Sequence, residues 1–167
     1  MAERPGSAPD PVLVVFVCWG NICRSPIAER VAERMAAEAG LTGVAFSSAA
    51  TSTEELGRPM DRRAAAVLDE RGYRSADHRA HQIDVAEIEA ADLVIAMEDI
   101  HLRRMLAMDP GATNLSLLTD YDPAAEPGSG VPDPWYGTQA DFYDTLATVE
   151  AAVPGVLDEV RRLQSAG

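Results

Sequence analysis

A thiol and a guanidinium lie six positions apart near the start of the chain, at Cys18 and Arg24, and the segment between them includes Gly20 and Asn21. Backbone N–H groups in such a short segment can curl around an anion, and a helix N-terminus behind them adds positive potential. Donors of this kind also favour the thiolate, which is the nucleophilic form of cysteine. The segment is therefore predicted to bind a phosphate group and to attack it.

The stretches on either side of this loop predict the elements that position it. Residues 12–17 form an uninterrupted apolar run, which is typical of a buried strand, and residues 27–39 have a helical pattern. Pro26 suits the first turn of that helix. Cys18 is thus expected at the carboxyl end of a strand, which is where ligands bind in open α/β sheets.

Short β-rich runs alternate with helical patterns along the chain, which predicts one α/β domain with a four-stranded parallel sheet and helices on both faces. The predicted strands lie near residues 12–18, 43–48, 91–97 and 113–118. The predicted helices lie near residues 26–39, 60–72, 84–90, 98–108 and 138–164. Pro154 is expected to kink or split the last helix, because proline removes a helical hydrogen bond.

Composition agrees with a single domain and argues against some partners. A chain of 167 residues, 47% of them apolar, can bury a sizeable core. Its net charge of −13 should repel nucleic acids and anionic membranes, so neither is expected as a partner. The domain is predicted at residues 11–167, after a disordered leader at residues 1–10.

A disulfide between two cysteines only five residues apart would close a very short loop and stabilise the fold little. The pair therefore favours a reducing compartment and a cytoplasmic protein. The longest apolar run, residues 12–19, is too short to span a bilayer. A monomer is the expected state.

A second reactive group, Asp133, lies between two prolines and precedes Trp135 and Tyr136. Flanking prolines restrict the backbone and hold the carboxylate in an extended, stiff segment. Cleavage of a phosphate ester needs a proton for the leaving oxygen and later a base for water, and one carboxylic acid can supply both. Pro-Asp-Pro is also a common sequence in turns and loops, so composition alone favours a turn residue at Asp133.

The string Cys18-Trp-Gly-Asn-Ile-Cys-Arg-Ser-Pro26 resembles the active-site loop of the low-molecular-weight protein tyrosine phosphatases, in which a Cys-x-Gly-Asn-x-Cys-Arg-Ser-Pro run near the N-terminus is characteristic. The later Asp-Pro-aromatic-Tyr-Gly segment resembles the general-acid loop of that family. The resemblance implies a phosphatase that hydrolyses phosphotyrosine and small aryl phosphates through a cysteinyl-phosphate intermediate. Its partner would be a phosphotyrosine-containing protein.

The resemblance also implies a role for each matching residue. Cys18 attacks phosphorus, Arg24 binds two phosphate oxygens and Asp133 is the general acid and base. Ser25 donates a hydrogen bond to the sulfur. The residues expected to contact phosphate or the aryl ring, Ser25 among them, are Trp19, Gly20, Asn21, Ile22, Cys23, Ser25, Trp135 and Tyr136. No metal or other cofactor is expected, because protein donors supply the positioning and the charge.

Two further matches are expected to support the loop. The family residue aligned with Ser48 hydrogen-bonds the loop asparagine, here Asn21. His78 matches a family histidine near the site, whereas His81 stands where the family has arginine, which leaves that arginine's contact open.

The rim of the site departs from the family pattern. Many members present an aromatic residue at the place of Glu54, where this chain has Glu54 and Glu55. Trp19 is expected to take over the role of that aromatic wall. Acidic residues at the rim are also expected to favour substrates with basic residues flanking the phosphotyrosine.

Cys23 can be interpreted in two ways. In a curled loop it is close enough to form a disulfide with an oxidised Cys18, which would protect the nucleophile. It can also be a small buried residue that closes the loop against the helix.

Three other activities are compatible with such a loop. An arsenate reductase of this fold needs further cysteines, but none follows Cys23. An arginine phosphatase of this fold typically has threonine where this chain has Ile22. A non-enzymatic phosphotyrosine-binding module would be distinguished by its lack of turnover.

Overall fold

The structure is a computed structural model that describes residues 9–166. Most of the leader predicted at residues 1–10 therefore lies outside the described residues. Within these described residues there are four strands: β1 (Val12–Cys18), β2 (Val44–Ala50), β3 (Leu93–Ala96) and β4 (Leu115–Leu117). They form one parallel sheet in the order β2-β1-β3-β4. The predicted four-stranded parallel sheet is confirmed.

Helices occupy the connections between these strands and the C-terminal segment. They are α1 (Arg24–Glu38), α2 (Arg62–Glu70), α3 (Val85–Ala90), α4 (Asp99–Met108) and α5 (Gln139–Ala166), and a 3₁₀ helix spans Leu118–Tyr121. Each predicted helix is found within a few residues of its predicted ends. In the described part of the chain, no helix is long and apolar enough to cross a membrane.

Both faces of the sheet are covered, as predicted. Side chains alternate along β1, so neighbouring residues point to opposite faces. Val14 and Phe16 belong to the core that α1, α2 and α5 complete. Val15 and Val17 belong to a second core that α3 and α4 complete. This arrangement explains why β1 is apolar at every position rather than alternating.

The sheet register brings several loops to one edge. In β1, Cys18 lies opposite Ala50 of β2, and Val17 lies opposite Ala96 of β3. Because the strands are parallel, their carboxyl ends reach the same edge of the sheet. The loops that follow β1, β2 and β3 therefore begin side by side, and residues far apart in sequence can meet there.

The last helix is not split, so this part of the prediction for Pro154 is wrong. The helix α5 runs unbroken through that residue. Val149, Val153 and Val156 of α5 are fully buried on both sides of the proline. A proline inside a helix costs about 3 kcal/mol, and burial of three valines at about 1.5–3 kcal/mol each more than offsets that cost.

Gly155, next to this proline, packs directly against the backbone of Tyr121, and a Cβ at residue 155 would overlap the carbonyl oxygen of Tyr121. We expect Gly155→Ala to lower the free energy of unfolding by about 1–3 kcal/mol because of this overlap. The loss should appear in urea unfolding although alanine is the better helix former by about 1 kcal/mol.

Ala151→Gly, at an exposed position of the same helix, is the control for helix propensity and should lose about 1 kcal/mol. A Gly155→Ala protein more stable than the parent would contradict the close packing of the two segments.

Candidate active site

The loop after β1 folds back over the sulfur of Cys18. Asn21 has a φ of +59°, in the left-handed region that asparagine tolerates better than most residues. Its backbone N–H donates to Cys18 Sγ at 3.3 Å. Ser25 Oγ, in the first turn of α1, lies 3.0 Å from the same sulfur. Cys18 is buried, so its reactive atom faces the loop and the start of a helix.

No acidic side chain of its own first turn occupies the N-terminus of α1. Its first turn contains no acidic residue, and its N-cap residue, Cys23, makes no side-chain capping bond. A helix N-terminus carries partial positive charge on its unpaired N–H groups, which attract an anion. The end of α1 and the loop together therefore form a site for an oxyanion beside the sulfur.

Asn21 is the hub that holds the loop in shape. Its side-chain amide donates to Ser25 Oγ at 2.9 Å, and its side-chain oxygen accepts from the backbone N–H of His81 at 3.2 Å. His78 Nε2 is 2.6 Å from the backbone oxygen of Asn21. Since a carbonyl only accepts, the proton of the His78 ring lies on Nε2. Burial lowers the pKa of His78, which keeps the ring neutral.

The hydrogen bond expected between Ser48 and Asn21 is not formed. Ser48 Oγ instead donates to Glu29 Oε1 of α1 at 2.9 Å. The amide group of Asn21 is instead bound to Ser25 and His81. The ring of His81, which replaces an arginine of the family pattern, points away to Glu87 of α3 at 3.0 Å.

Arg24 is buried, and among the described residues its guanidinium donates hydrogen bonds through Nη1 only. Nη1 donates to the carboxylate of Glu98 and to the backbone oxygen of Val131 at 2.8 Å. Nη2 lies 3.6 Å from Asp133 Oδ2. Among residues 9–166, no atom accepts a hydrogen bond from Nε, although that atom is buried. The edge formed by Nε and Nη2 is thus the one that can receive a ligand.

Glu98, the anchor of Arg24, was missed by the sequence analysis. It follows β3, and its backbone N–H donates to Nδ1 of His101 at 3.0 Å. Burial, together with the nearby charge of Arg24, lowers the pKa of His101 to about 3, so this histidine is a neutral acceptor. The one signal that could have identified Glu98 is its place directly after a buried strand, at the carboxyl edge of the sheet.

These residues surround a cleft of about 350 Å³. Its walls are formed by Cys18, Trp19, Gly20, Ile22, Cys23, Arg24, Glu54, Glu55, Asp133, Trp135 and Tyr136. Asn21, Ser25 and His78 are buried behind the loop rather than in the wall. The two segments singled out in the sequence, around residues 18–24 and 133–136, therefore meet in one cleft.

The aromatic walls differ in how firmly they are held. The ring of Trp19 packs against the guanidinium of Arg104, 4.5 Å from the ring centre, which favours a fixed position. Trp135 is partly exposed, and Tyr136 is almost fully exposed, at 94%. Asp133 lies beside them, and its Oδ1 accepts from the backbone N–H of Trp135 at 3.0 Å.

Cys23 is also buried, and both cysteines are free thiols. Burial, reinforced by the nearby Asp61, raises the pKa of the Cys23 thiol well above its usual range. Cys23 therefore stays protonated and does not compete with Cys18 as a thiolate.

The molecule is thus an α/β protein in which a buried cysteine lies in a cleft beside the N-terminus of a helix. The sequence model of the low molecular weight phosphotyrosine protein phosphatase family matches residues 13–166. The chain belongs to the low molecular weight protein-tyrosine phosphatase family, and it is an enzyme, a phosphoric monoester hydrolase.

Individual relatives agree with this assignment. A low molecular weight protein-tyrosine-phosphatase of Streptomyces coelicolor is 42% identical over 153 residues, which cover 89% of this chain and 93% of the relative. The low molecular weight protein-tyrosine phosphatase A of Mycobacterium tuberculosis is 39% identical over 90% of this chain and 93% of its own. A crystal structure of a protein tyrosine phosphatase from Entamoeba histolytica superimposes with a TM-score of 0.85 at 26% identity, covering 92% of this chain and 99% of that one.

Substitution of Asn21 should separate the two ways in which it supports the loop. We expect Asn21→Ala to lower the free energy of unfolding by about 2–4 kcal/mol, because it loses buried hydrogen bonds and strains a left-handed backbone. Asn21→Gly keeps the backbone conformation and should lose less. Urea unfolding of the three proteins measures both contributions, and equal losses in the two variants would show that backbone strain plays no part.

Proposed function

We propose that this enzyme hydrolyses phosphotyrosine, and small aryl phosphates, through a cysteinyl-phosphate intermediate. In the first step the thiolate of Cys18 attacks phosphorus in line, the S–P bond forms and the P–O bond to the phenol breaks. Asp133 gives its proton to the leaving oxygen. In the second step Asp133 removes a proton from water, whose oxygen bonds to phosphorus as the S–P bond breaks. Inorganic phosphate leaves, and the thiolate is restored.

The arrangement of Arg24 is the observation that carries this proposal. A buried guanidinium nitrogen without an acceptor is costly, by about 1–3 kcal/mol or more for a charged group. Two phosphate oxygens would satisfy the edge formed by Nε and Nη2, since a guanidinium binds such a group bidentately. Glu98 and Val131 hold the opposite side of the guanidinium and keep that edge turned to the ligand.

The contacts around the sulfur favour its role as nucleophile and leaving group. The amide of Asn21 donates to Ser25 Oγ, and the single hydroxyl hydrogen of Ser25 has two acceptors within reach, Cys18 Sγ at 3.0 Å and the backbone oxygen of Ala49 at 3.4 Å. The shorter contact favours donation to the sulfur. The backbone N–H of Asn21 adds a second donor. Both donors stabilise a thiolate, and both would stabilise it again when the intermediate is hydrolysed.

The shape of the cleft supports phosphotyrosine as the substrate. The sulfur is buried at the bottom, whereas Trp19, Trp135 and Tyr136 lie in the walls. A tyrosine side chain is long enough to bring its phosphate to the sulfur while its ring lies between aromatic walls. The shorter side chain of a phosphoserine would not bring its phosphate to the sulfur. We also propose that the enzyme acts as a monomer in the cytoplasm, where its two thiols remain reduced.

The test is turnover of p-nitrophenyl phosphate in the absence of divalent metal, from pH 4 to pH 9. A bell-shaped profile is expected, because the reaction needs Cys18 deprotonated and Asp133 protonated. Cys18→Ser should abolish turnover, and Asp133→Asn should reduce kcat by about 10²–10³-fold and remove the alkaline limb.

Binding of phosphotyrosine peptides without turnover in the parent protein would instead identify a recognition module. Preferential turnover of phosphoarginine would identify an arginine phosphatase, and reduction of arsenate in place of hydrolysis would identify an arsenate reductase.

The acidic rim predicts a preference among phosphopeptides. Glu54 and Glu55 line the cleft, so basic residues beside the phosphotyrosine should raise kcat/KM relative to acidic ones. Replacing both glutamates by glutamine should reduce that preference by about two- to fivefold, the range of exposed charge pairs. Glu89→Gln, which removes an exposed charge outside the cleft, is the matched control. An unchanged preference in the double variant would contradict the role of the rim.

A further inference from the structure

Arg63, in the first turn of α2, links the two loops of the active site although it does not line the cleft itself. Its guanidinium carbon lies 4.5 Å from the ring centre of Phe142, a fully buried residue of α5, and 5.6 Å from that of Trp135. A guanidinium between two aromatic faces is attracted to both of them. Arg63 therefore links Trp135 of the acid loop (residues 132–137) to the core of the protein.

The same guanidinium donates to the backbone of the acid loop. Nη2 donates to the carbonyl oxygen of Trp135 at 3.0 Å, and Nη1 donates to that of Gly137 at 3.1 Å. The side chain of Gln139 returns a hydrogen bond to the backbone oxygen of Arg63 at 3.2 Å. Trp135 also binds the Asp133 carboxylate through its N–H, so its peptide groups connect Asp133 to Arg63.

Asp61 extends this connection to the cysteine loop (residues 18–24). Its carboxylate accepts from Nε of Arg63 at 3.1 Å and from Nη2 at 3.2 Å, and it also caps α2. Its backbone N–H donates to the carbonyl oxygen of Ile22, in the cysteine loop, at 2.9 Å. A continuous set of bonds thus runs from Ile22 through Asp61, Arg63 and Trp135 to Asp133.

The ion pair at the centre of this set persists over the working range of pH. Although burial opposes it, hydrogen bonds from Arg63 lower the pKa of the Asp61 carboxyl. The hydrogen bond to Asp61 in turn raises the pKa of Arg63. Arginine is suited to this place because its planar fork can bind two carbonyls and a carboxylate while stacking on rings, which the single ammonium of lysine cannot do.

We propose that Arg63 is a positioning residue that sets where the Asp133 carboxyl stands relative to the cysteine loop, and that proton transfer to the leaving oxygen depends on it. The inference rests on the proposed role of Asp133 as general acid. The side chain of Arg63 contacts the acid loop directly, whereas the cysteine loop is bound by the backbone N–H of Asp61. Loss of the Arg63 guanidinium should therefore affect proton transfer and leave phosphate binding by the cysteine loop unchanged.

A series of aryl phosphates with increasingly basic leaving groups, from dinitrophenyl to phenyl phosphate, distinguishes this role from a merely structural one. An acidic phenol leaves without a proton, whereas phenol itself needs one. We expect Arg63→Gln to lower kcat/KM about tenfold for phenyl phosphate and less than about twofold for dinitrophenyl phosphate. Asp133→Asn should show the same trend more steeply, and adding Arg63→Gln to it should cause no further loss.

One control is a variant at the other end of the same helix, and the other is the inhibition of the enzyme by inorganic phosphate. Arg71, at the C-terminal end of α2, also packs its guanidinium on an aromatic ring, that of Tyr143. Arg71→Gln should leave kcat/KM unchanged for every aryl phosphate in the series. The inhibition constant of inorganic phosphate should be the same in Arg63→Gln and the parent. If Arg63→Gln does not fold, Arg63→Lys preserves the charge and much of the packing and should show the same dependence on the leaving group.

Two results would overturn the inference. One is an equal loss for every leaving group, and the other is an undiminished loss in the Asp133→Asn background, since either would mean that Arg63 does not act through Asp133. If Asp133→Asn itself shows no dependence on the leaving group, the general-acid assignment fails, and the inference about Arg63 fails with it. Turnover that still requires Cys18 would then leave the nucleophile assignment intact.

Discussion

The burial of one guanidinium, that of Arg24, is the constraint on which the rest of the site depends. A charge that is 2% exposed must be neutralised and hydrogen-bonded, or its burial costs several kcal/mol. The groups that hold it come from distant segments: Glu98 after β3, and Val131 and Asp133 before α5. The free edge of the guanidinium is therefore presented only where the end of β3 and the segment before α5 meet the start of α1.

The two loops of the cleft are stabilised by different means. The cysteine loop is short and buried, and the side chain and backbone of Asn21 hold it from within. The acid loop is exposed and is held from outside, by Arg63. Such a difference suits the chemistry proposed, because the phosphate site must be rigid whereas an acid loop must admit and release a protein substrate. The bond between Asp61 and Ile22 keeps the two loops in a common frame.

Local donors, rather than net charge, make this acidic chain fit to bind an anion. The chain has a charge of −13, and Glu54 and Glu55 lie at the cleft. The donors that face the sulfur and line the cleft are nevertheless backbone N–H groups, a helix N-terminus and Arg24. Fixed dipoles at contact distance from the phosphate position outweigh carboxylates at the rim, whose charge is screened by solvent. The charges of Glu54 and Glu55 instead influence which substrates approach the cleft.

The sequence alone determined the sheet, its helical covering and a loop that folds back over the sulfur of Cys18. Those features are local, because an apolar run, the loop residues between Cys18 and Arg24 and the helix behind them are consecutive, and hydrophobic periodicity reports burial directly. Only the tertiary structure decided the partners of these groups. Glu98 and Arg63 are ordinary charged residues in the sequence, and Ser48 binds Glu29 instead of Asn21. Such pairings depend on which side chains the parallel strands and packed helices bring together across long stretches of chain, and no local pattern encodes that geometry.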